Sequence, residues 1–448
     1  MSSWIIIVVV AANLGLIYLL IAAPLGRRTI VRELAISASR ERIWGALSPL
    51  GKDAGWSGEV LSAVPIEGGR ICETLSWEGR DGRPIERTVD FQARDDRAGY
   101  QLRVIEDSSL DPSFWSDFEE RASLDDEGSG TRIRIAQTDS YRGLAFLIFR
   151  YFALRRRLSK LKIWSETGSY RAGGIFEHPA TQLGMAVLSV LILWPLAGLT
   201  AGGLAFAVIM TTAVALHELG HMAAFRVAGH RRARMIFVPL LGGIALGGRP
   251  YDTRFEVAFV ALMGAGFSAF LVPPLMALSE MGAASGNVHA RNFVASVVGC
   301  IALFNLANLV PVWKFDGGQV LRQICPGPVS LALSSFVLLS AFMALGYAAG
   351  FPAPLLVSAG AIFAILSLIT AGSGAKPRHE LKRLEGLERV AIAGALVAVF
   401  AIHASGLLWA SARLEDWQSY EKLRQERRLD ASERNAFLLP GTMPERRL

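Results

Sequence analysis

The sequence predicts a polytopic α-helical membrane protein of about eight transmembrane helices, carrying one cytoplasmic α+β domain near its N-terminus. Three observations lead there. Hydrophobic residues make up 52% of the 448 and charged ones only 19%, too apolar a balance for an ordinary soluble protein. The apolar residues gather in uncharged runs long enough to cross a bilayer. One stretch, from about Thr29 to Gly173, lacks such runs and alternates short β-rich segments with Gly- and charge-rich turns. The net charge of +7 does not point to nucleic acid, because the basic residues flank apolar runs, where the positive-inside rule places them. Cys72, Cys300 and Cys325 show no CxxC spacing and indicate neither a disulfide framework nor a structural zinc.

Residues 1–26 hold the uncharged run Trp4–Ala23, about the length a helix needs to span a membrane. Its start lacks the basic region of a signal peptide, and Arg27, Arg28 and Arg32 sit on its far side. We read an uncleaved anchor with the N-terminus outside. Residues 27–173 form the soluble domain. Ser37 and Ser39 precede Glu41-Arg42-Ile43-Trp44, a short capped helix. Strands are expected around Gly58–Val64, Arg70–Trp77, Glu86–Ala93, Tyr100–Ile105, Trp115–Ser123 and Thr131–Gln137. A long helix closes the domain, with Leu147, Tyr151, Leu154, Leu158 and Leu161 at alternating spacings of four and three. From Leu144 to Leu154 it is apolar nearly all round except for Arg150, and Arg155, Arg156, Arg157, Lys160 and Lys162 follow. That reads as a core helix with a solvated basic end, or as one that touches anionic lipid heads. This order of strand, short helix, strand meander and long final helix resembles the START-like helix-grip fold shared with polyketide cyclases, over about 140 residues. The resemblance implies an apolar cavity beneath the last helix and a lipid or small apolar ligand.

Residues 174–410 read as the membrane domain, with spans near Gln182–Leu199, Gly202–Phe225, Phe255–Leu278, Phe293–Trp313, Ser330–Gly350, Ala353–Ala371 and Val390–Ala410. Counted from an outside N-terminus, the cytoplasmic loops carry Arg226, Arg231, Arg232, Arg234 and Arg249, then Lys314 and Arg322, then Lys376, Arg378, Lys382 and Arg383. The opposite loops, near Thr200, Gly282–His289 and Gly350, carry little positive charge. Residues 411–448 mix charges of both signs, as a solvated helical tail does. The simple anchor and the lack of organelle targeting suit a bacterial inner membrane.

Inside one apolar run lies His217-Glu218-Leu219-Gly220-His221, an HExxH sequence. Residues four apart share a helix face, so both imidazoles can reach one metal ion while Glu218 stands beside it. Ionisable groups at membrane depth are costly and persist mainly where they act. A second apolar segment ends in Asn308-Leu309-Val310-Pro311-Val312-Trp313-Lys314-Phe315-Asp316-Gly317. Catalytic zinc wants three protein ligands and one open position, and Asp316 is the obvious third. Pro311 and the Gly317-Gly318 pair bend the chain so that Asp316 meets the histidines.

The two stretches together resemble the site-2 protease family of intramembrane zinc metalloproteases, whose signatures are HExxH and NxxPxxxLDG. Phe315 stands where the family has Leu, and Gly266 precedes Phe267 where the family often has Pro. The resemblance implies one Zn2+ per chain on His217, His221 and Asp316, with Glu218 as the catalytic base. It assigns Asn308, with Pro311 and Gly317, to orienting the substrate or the site, and a membrane-anchored protein as the substrate, cut near the cytoplasmic face. A non-catalytic membrane receptor or lipid-binding protein, working through the soluble domain, is the alternative.

Between the HExxH run and the next span, Met235–Leu240 and Ile244–Leu246 flank Gly242-Gly243, a hairpin signal, with Pro239 marking an edge strand. By the same resemblance this region is a membrane-associated sheet, whose free edge can hold a substrate as an added strand. Thr253-Arg254-Phe255-Glu256 is a capping-box pattern. His403 reads as a helix-contact group, and His178, His230, His289 and His379 as residues of connections without a special role.

Overall fold

The computed structural model describes residues 15, 18–20, 22–80, 82–94, 96–169, 178–238, 242–284, 288–370 and 378–438. The anchor expected over Trp4–Ala23 therefore lies outside the described residues except at positions 15, 18–20, 22 and 23, and Pro239 lies outside them as well.

The N-terminal third is a helix-grip-like antiparallel sheet domain. Its strands are β1 (Pro24–Ile36), β2 (Val60–Ile66), β3 (Arg70–Glu78), β4 (Pro84–Ala93), β5 (Gly99–Asp107), β6 (Glu119–Glu127) and β7 (Gly130–Arg142), in the order β1-β7-β6-β5-β4-β3-β2. After β1 comes α1 (Arg40–Leu47), started by the Ser39 side chain, which accepts from the Arg42 amide. After β7 comes α2 (Leu144–Thr167), which lays Leu154, Leu158 and Leu161 on Ile30, Ile36, Leu124, Ile133 and Ile135. The pairing of β1 with β7 runs from Pro24↔Arg142 to Ile36↔Thr131 and joins the two ends of the domain.

Two details differ from the expectation. The strand placed over Trp115–Ser123 starts only at Glu119, because Asp111 caps a single turn at Pro112–Phe114 and Trp115 packs edge-on between Phe114 and Phe118. The space beneath α2 is also not purely apolar. Buried Glu120 there accepts from Tyr100 Oη at 2.6 Å, Gln137 Nε2 at 2.6 Å and Arg157 Nη1 at 2.7 Å. Three donors satisfy a carboxylate that would otherwise be costly to bury.

The rest is helical. In order come α3 (Pro179–Leu196), α4 (Ala201–Val227), a two-stranded hairpin of β8 (Arg234–Val238) and β9 (Gly242–Leu246), α5 (Arg254–Ala269), α6 (Val272–Ala284), α7 (Val288–Leu309), α8 (Asp316–Ile324), α9 (Pro328–Ala348), α10 (Ala353–Thr370) and α11 (Gly386–Leu438). Among the described residues five helical segments are long and apolar enough to cross a membrane: Ala201–Val227, Arg254–Met281, His289–Leu309, Pro328–Ala348 and Gly386–Leu414. Ala180–Leu196 and Ala353–Ile369 are apolar but shorter, so among the described residues five of the expected crossings have a helix of spanning length. Pro195, in the last turn of α3, and the left-handed Gly198 end that helix early. The single span read over Phe255–Leu278 is broken at Phe270–Leu271, just before Pro273 and Pro274. No break separates the last span from the tail, since α11 continues through residue 411 to Leu438.

The sheet domain touches the helical part at several loops. Arg232 donates to the Ser76 carbonyl at 2.8 Å and Arg249 to the Arg80 carbonyl at 3.1 Å, both at the β3–β4 hairpin. Arg378 donates to the Asp107 carbonyl at 3.1 Å. These loops follow α4, precede α5 and precede α11, the side on which the HExxH end of α4 lies.

Candidate metal centre

Thr200 starts α4 by accepting from the Gly203 amide at 3.0 Å, and the helix carries His217 and His221 one turn apart near its other end. Their Nε2 atoms are 3.1 Å apart. Asp316 arrives from a segment distant in sequence as the first residue of α8. The turn over Val310–Phe315 brings it back, and it needs both glycines that follow: a Cβ at Gly317 would overlap the Leu309 carbonyl, and one at Gly318 the Val312 carbonyl. Asp316 Oδ2 then lies 3.1 Å from His217 Nε2 and 3.4 Å from His221 Nε2. Ligand atoms placed tetrahedrally around zinc at its usual bond lengths are about 3.3–3.4 Å apart, close to the three separations seen.

The other ring nitrogens are already engaged. His217 Nδ1 lies 2.9 Å from Asn305 Oδ1, and His221 Nδ1 lies 2.7 Å from the Val260 carbonyl. Each Nδ1 faces an oxygen that can only accept, and in the neutral imidazole this tautomer presents Nε2 as the acceptor on the Asp316 side. Asp316 Oδ2 is buried and receives no hydrogen bond. Acceptors that converge without a donor between them fit a cation, so the residues present suit a zinc ion. His217, His221 and Asp316 form the only such group of potential ligands among the described residues.

Glu218 is buried beside this group. It faces β9, where a Cβ at Gly243 would overlap its Cγ and Cδ. This corrects the reading of Gly242-Gly243 as the turn of the hairpin: both lie inside β9, paired with Val238 and Phe237. Gly243 is there because the strand approaches the Glu218 side chain too closely for any side chain of its own.

Asn308 does not touch the group; its amide donates to the Phe304 carbonyl at 3.0 Å, within its own helix. The asparagine that does touch it is Asn305, one turn earlier and fully buried. A polar side chain inside an apolar helix must find a partner, and that signal was present in the sequence. Gly264 was missed as well. A Cβ there would overlap His221 Nε2 and the Cε1 atoms of both histidines, so only glycine leaves them room.

His230, read as an unremarkable loop residue, is buried with Nε2 2.6 Å from Glu256 Oε1. Glu256 also accepts from Arg249 at 2.9 Å and from the Asp252 amide at 2.6 Å. Thr253 caps α5 as expected, accepting from the Glu256 amide at 3.0 Å, yet the Glu256 carboxylate turns to this cluster and does not close the capping box. Arg249 adds a bond of 2.8 Å to the Ala228 carbonyl at the end of α4. One guanidinium thus ties together the helix of the two histidines, the helix of Val260 and Gly264, and the β3–β4 hairpin. His403 is the helix-contact group expected, its Nε2 3.0 Å from the Ala265 carbonyl.

No protein-family model matches the chain, and no curated protein matches it in sequence. Among solved structures, the Aha1 dimer of Colwellia psychrerythraea is 16% identical with a TM-score of 0.25, spanning 32% of this chain and 98% of that one. A START superfamily protein of Mycobacterium smegmatis is 12% identical with a TM-score of 0.23, spanning 30% and 92%. Protein MLL2253 of Mesorhizobium loti is 19% identical with a TM-score of 0.24, spanning 30% and 94%.

Proposed function

We propose that this chain is an intramembrane zinc metalloprotease, similar to the site-2 protease family, that cuts membrane-anchored proteins near the cytoplasmic face of a bacterial inner membrane. The observation that carries the proposal is the convergence of His217, His221 and Asp316, with both Nδ1 atoms anchored and a buried carboxylate, Glu218, alongside. His217, His221 and Asp316 would hold the metal. When bound, zinc supplies a water pKa lowered to about 7 and a polarised substrate carbonyl. Glu218 takes a proton at its carboxylate from the attacking water and passes it to the leaving amine. Asn305 and the Val260 carbonyl keep both imidazoles in the tautomer that presents Nε2.

A transmembrane helix hides its carbonyls in internal hydrogen bonds, so the segment to be cut must unwind. The β8–β9 hairpin beside Glu218 offers an edge along which the unwound segment extends, offsetting part of that cost. The sheet domain stands on the cytoplasmic side as a gate or sensor, and an apolar ligand is its proposed effector.

The test uses full-length protein reconstituted in vesicles with a library of single-span peptides. Zinc near one per chain, cleavage by the wild type, and no cleavage with retained zinc in Glu218→Gln are expected. Full cleavage by Glu218→Gln, or no zinc in a folded wild type after reloading, overturns the proposal.

A further inference from the structure

Helix α2 uses one face for the core of the sheet domain, through Leu154, Leu158 and Leu161. Its opposite face is not polar over the first turns, as a solvated helix would be. Ile148, Phe149 and Phe152 share that face and are 43%, 65% and 54% exposed. Arg155 and Arg156 continue the same face one turn later, both exposed. Phe149 and Phe152 on the outside of a helix, followed at once by two guanidinium groups, match neither a core contact nor a solvated surface. They match the boundary between acyl chains and phosphate headgroups, where aromatic rings enter and arginines stay at the charged layer.

The position of α2 agrees. The Gly143 amide, just before its first turn, donates to the Ala23 carbonyl at 2.8 Å, and Arg142 Nε donates to the Ala22 carbonyl at 3.3 Å. The helix therefore starts where the apolar run Trp4–Ala23 ends. At its other end only residues 168–178 separate it from α3, an apolar helix. With 24 residues it is about 36 Å long and is tied to apolar segments at both ends. Strand β1 adds exposed Arg27 and Arg28 just after that apolar run.

We infer that the outer face of α2, centred on Phe149, Phe152, Arg155 and Arg156, docks on the anionic surface of the bilayer and holds the sheet domain against it. This rests on the reading that the apolar helices span a membrane, and not on the metal centre. Arg155 and Arg156 meet lipid phosphate, Phe149 and Phe152 enter below it, and the β3–β4 hairpin stays seated on Arg232 and Arg249.

The experiment places a nitroxide on Phe149→Cys in a chain with Cys72, Cys300 and Cys325 changed to Ser, reconstituted in vesicles of phosphatidylcholine with or without one quarter phosphatidylglycerol. Leu61→Cys on the exposed edge strand β2 is the control. Collision with dissolved oxygen against a water-soluble nickel chelate reads depth. With phosphatidylglycerol, label 149 should collide with the nickel chelate several-fold less than label 61, and Arg155→Glu with Arg156→Glu should abolish the difference. Equal access of both labels to the chelate in the anionic vesicles overturns the inference, as does equal protection of label 149 in neutral vesicles. Should the cysteine-free chain fail to insert, wild-type protein with a photoreactive phosphatidylglycerol gives the same decision: adducts on residues 148–156 support docking, and adducts confined to the other helices overturn it. His217→Ala should change neither readout, so failure of the protease proposal leaves this result distinct.

Discussion

Asn305 Oδ1 lies 2.9 Å from His217 Nδ1, and the Asn305 amide group in turn donates to the Ile301 carbonyl at 2.7 Å. A fully buried asparagine is thus held by its own helix α7 in the one orientation that accepts from the imidazole. Removing such an outer partner of a metal-ligating histidine typically weakens binding about 10–100-fold. On the proposed function, Asn305→Leu, similar in size, should keep the helices and lower zinc affinity by that factor, measured by competition with a chelator. An unchanged affinity would deny Asn305 its role.

Gly264 makes a sharper case. Because a Cβ there meets both histidine rings, Gly264→Ala should displace them and, on the proposed function, remove most of the zinc that the wild type takes up, at unchanged helical content. Zinc per chain and circular dichroism on the same sample check it. Gly266→Ala is the control, since its Cβ would meet nothing closer than the Met263 sulfur at 3.4 Å.

Arg249 is partly buried and pairs with Glu256, which is buried together with His230. Arg249→Ala leaves the carboxylate without its guanidinium partner and the Ala228 carbonyl without the Arg249 donor. Breaking a buried pair from one side costs about 3–5 kcal/mol. A clearly lower thermal midpoint is expected, and Glu256→Gln added to Arg249→Ala should recover part of it. Equal midpoints for wild type and Arg249→Ala would show the cluster to be dispensable.

The sheet domain should carry an acid limb of its own. Burial pushes the Glu120 carboxyl up, but the Arg157 charge and the hydrogen bonds from Tyr100 and Gln137 outweigh it and leave it below its ordinary 4.5. A folded value below the unfolded one stabilises the fold fully above about pH 4.5 and loses that contribution as pH falls through the folded value. The Arg157 side chain is 40% exposed, so water screens part of its effect. Glu120→Gln should lower stability at pH 7 and flatten the loss as pH falls below about 4.5, followed by tryptophan fluorescence. A mutant with the same acid limb as wild type would place the titration elsewhere.

What the sequence by itself determined is what one segment settles alone. The four-residue step from His217 to His221 places two imidazoles on one helix face whatever surrounds them, and the Ser39 and Thr253 caps, the α2 periodicity and the apolar runs are local in the same sense. Tertiary structure decided everything that depends on two distant segments meeting. It chose Asn305 over Asn308 as the partner of His217, closed β1 on β7, seated His230 on Glu256, and put Gly243 against Glu218 where the local pattern read a turn. A periodic pattern tells which face of an element is buried but not which atoms it will face. Orphan polar atoms and glycines without room for a Cβ acquire their meaning only when the second segment arrives.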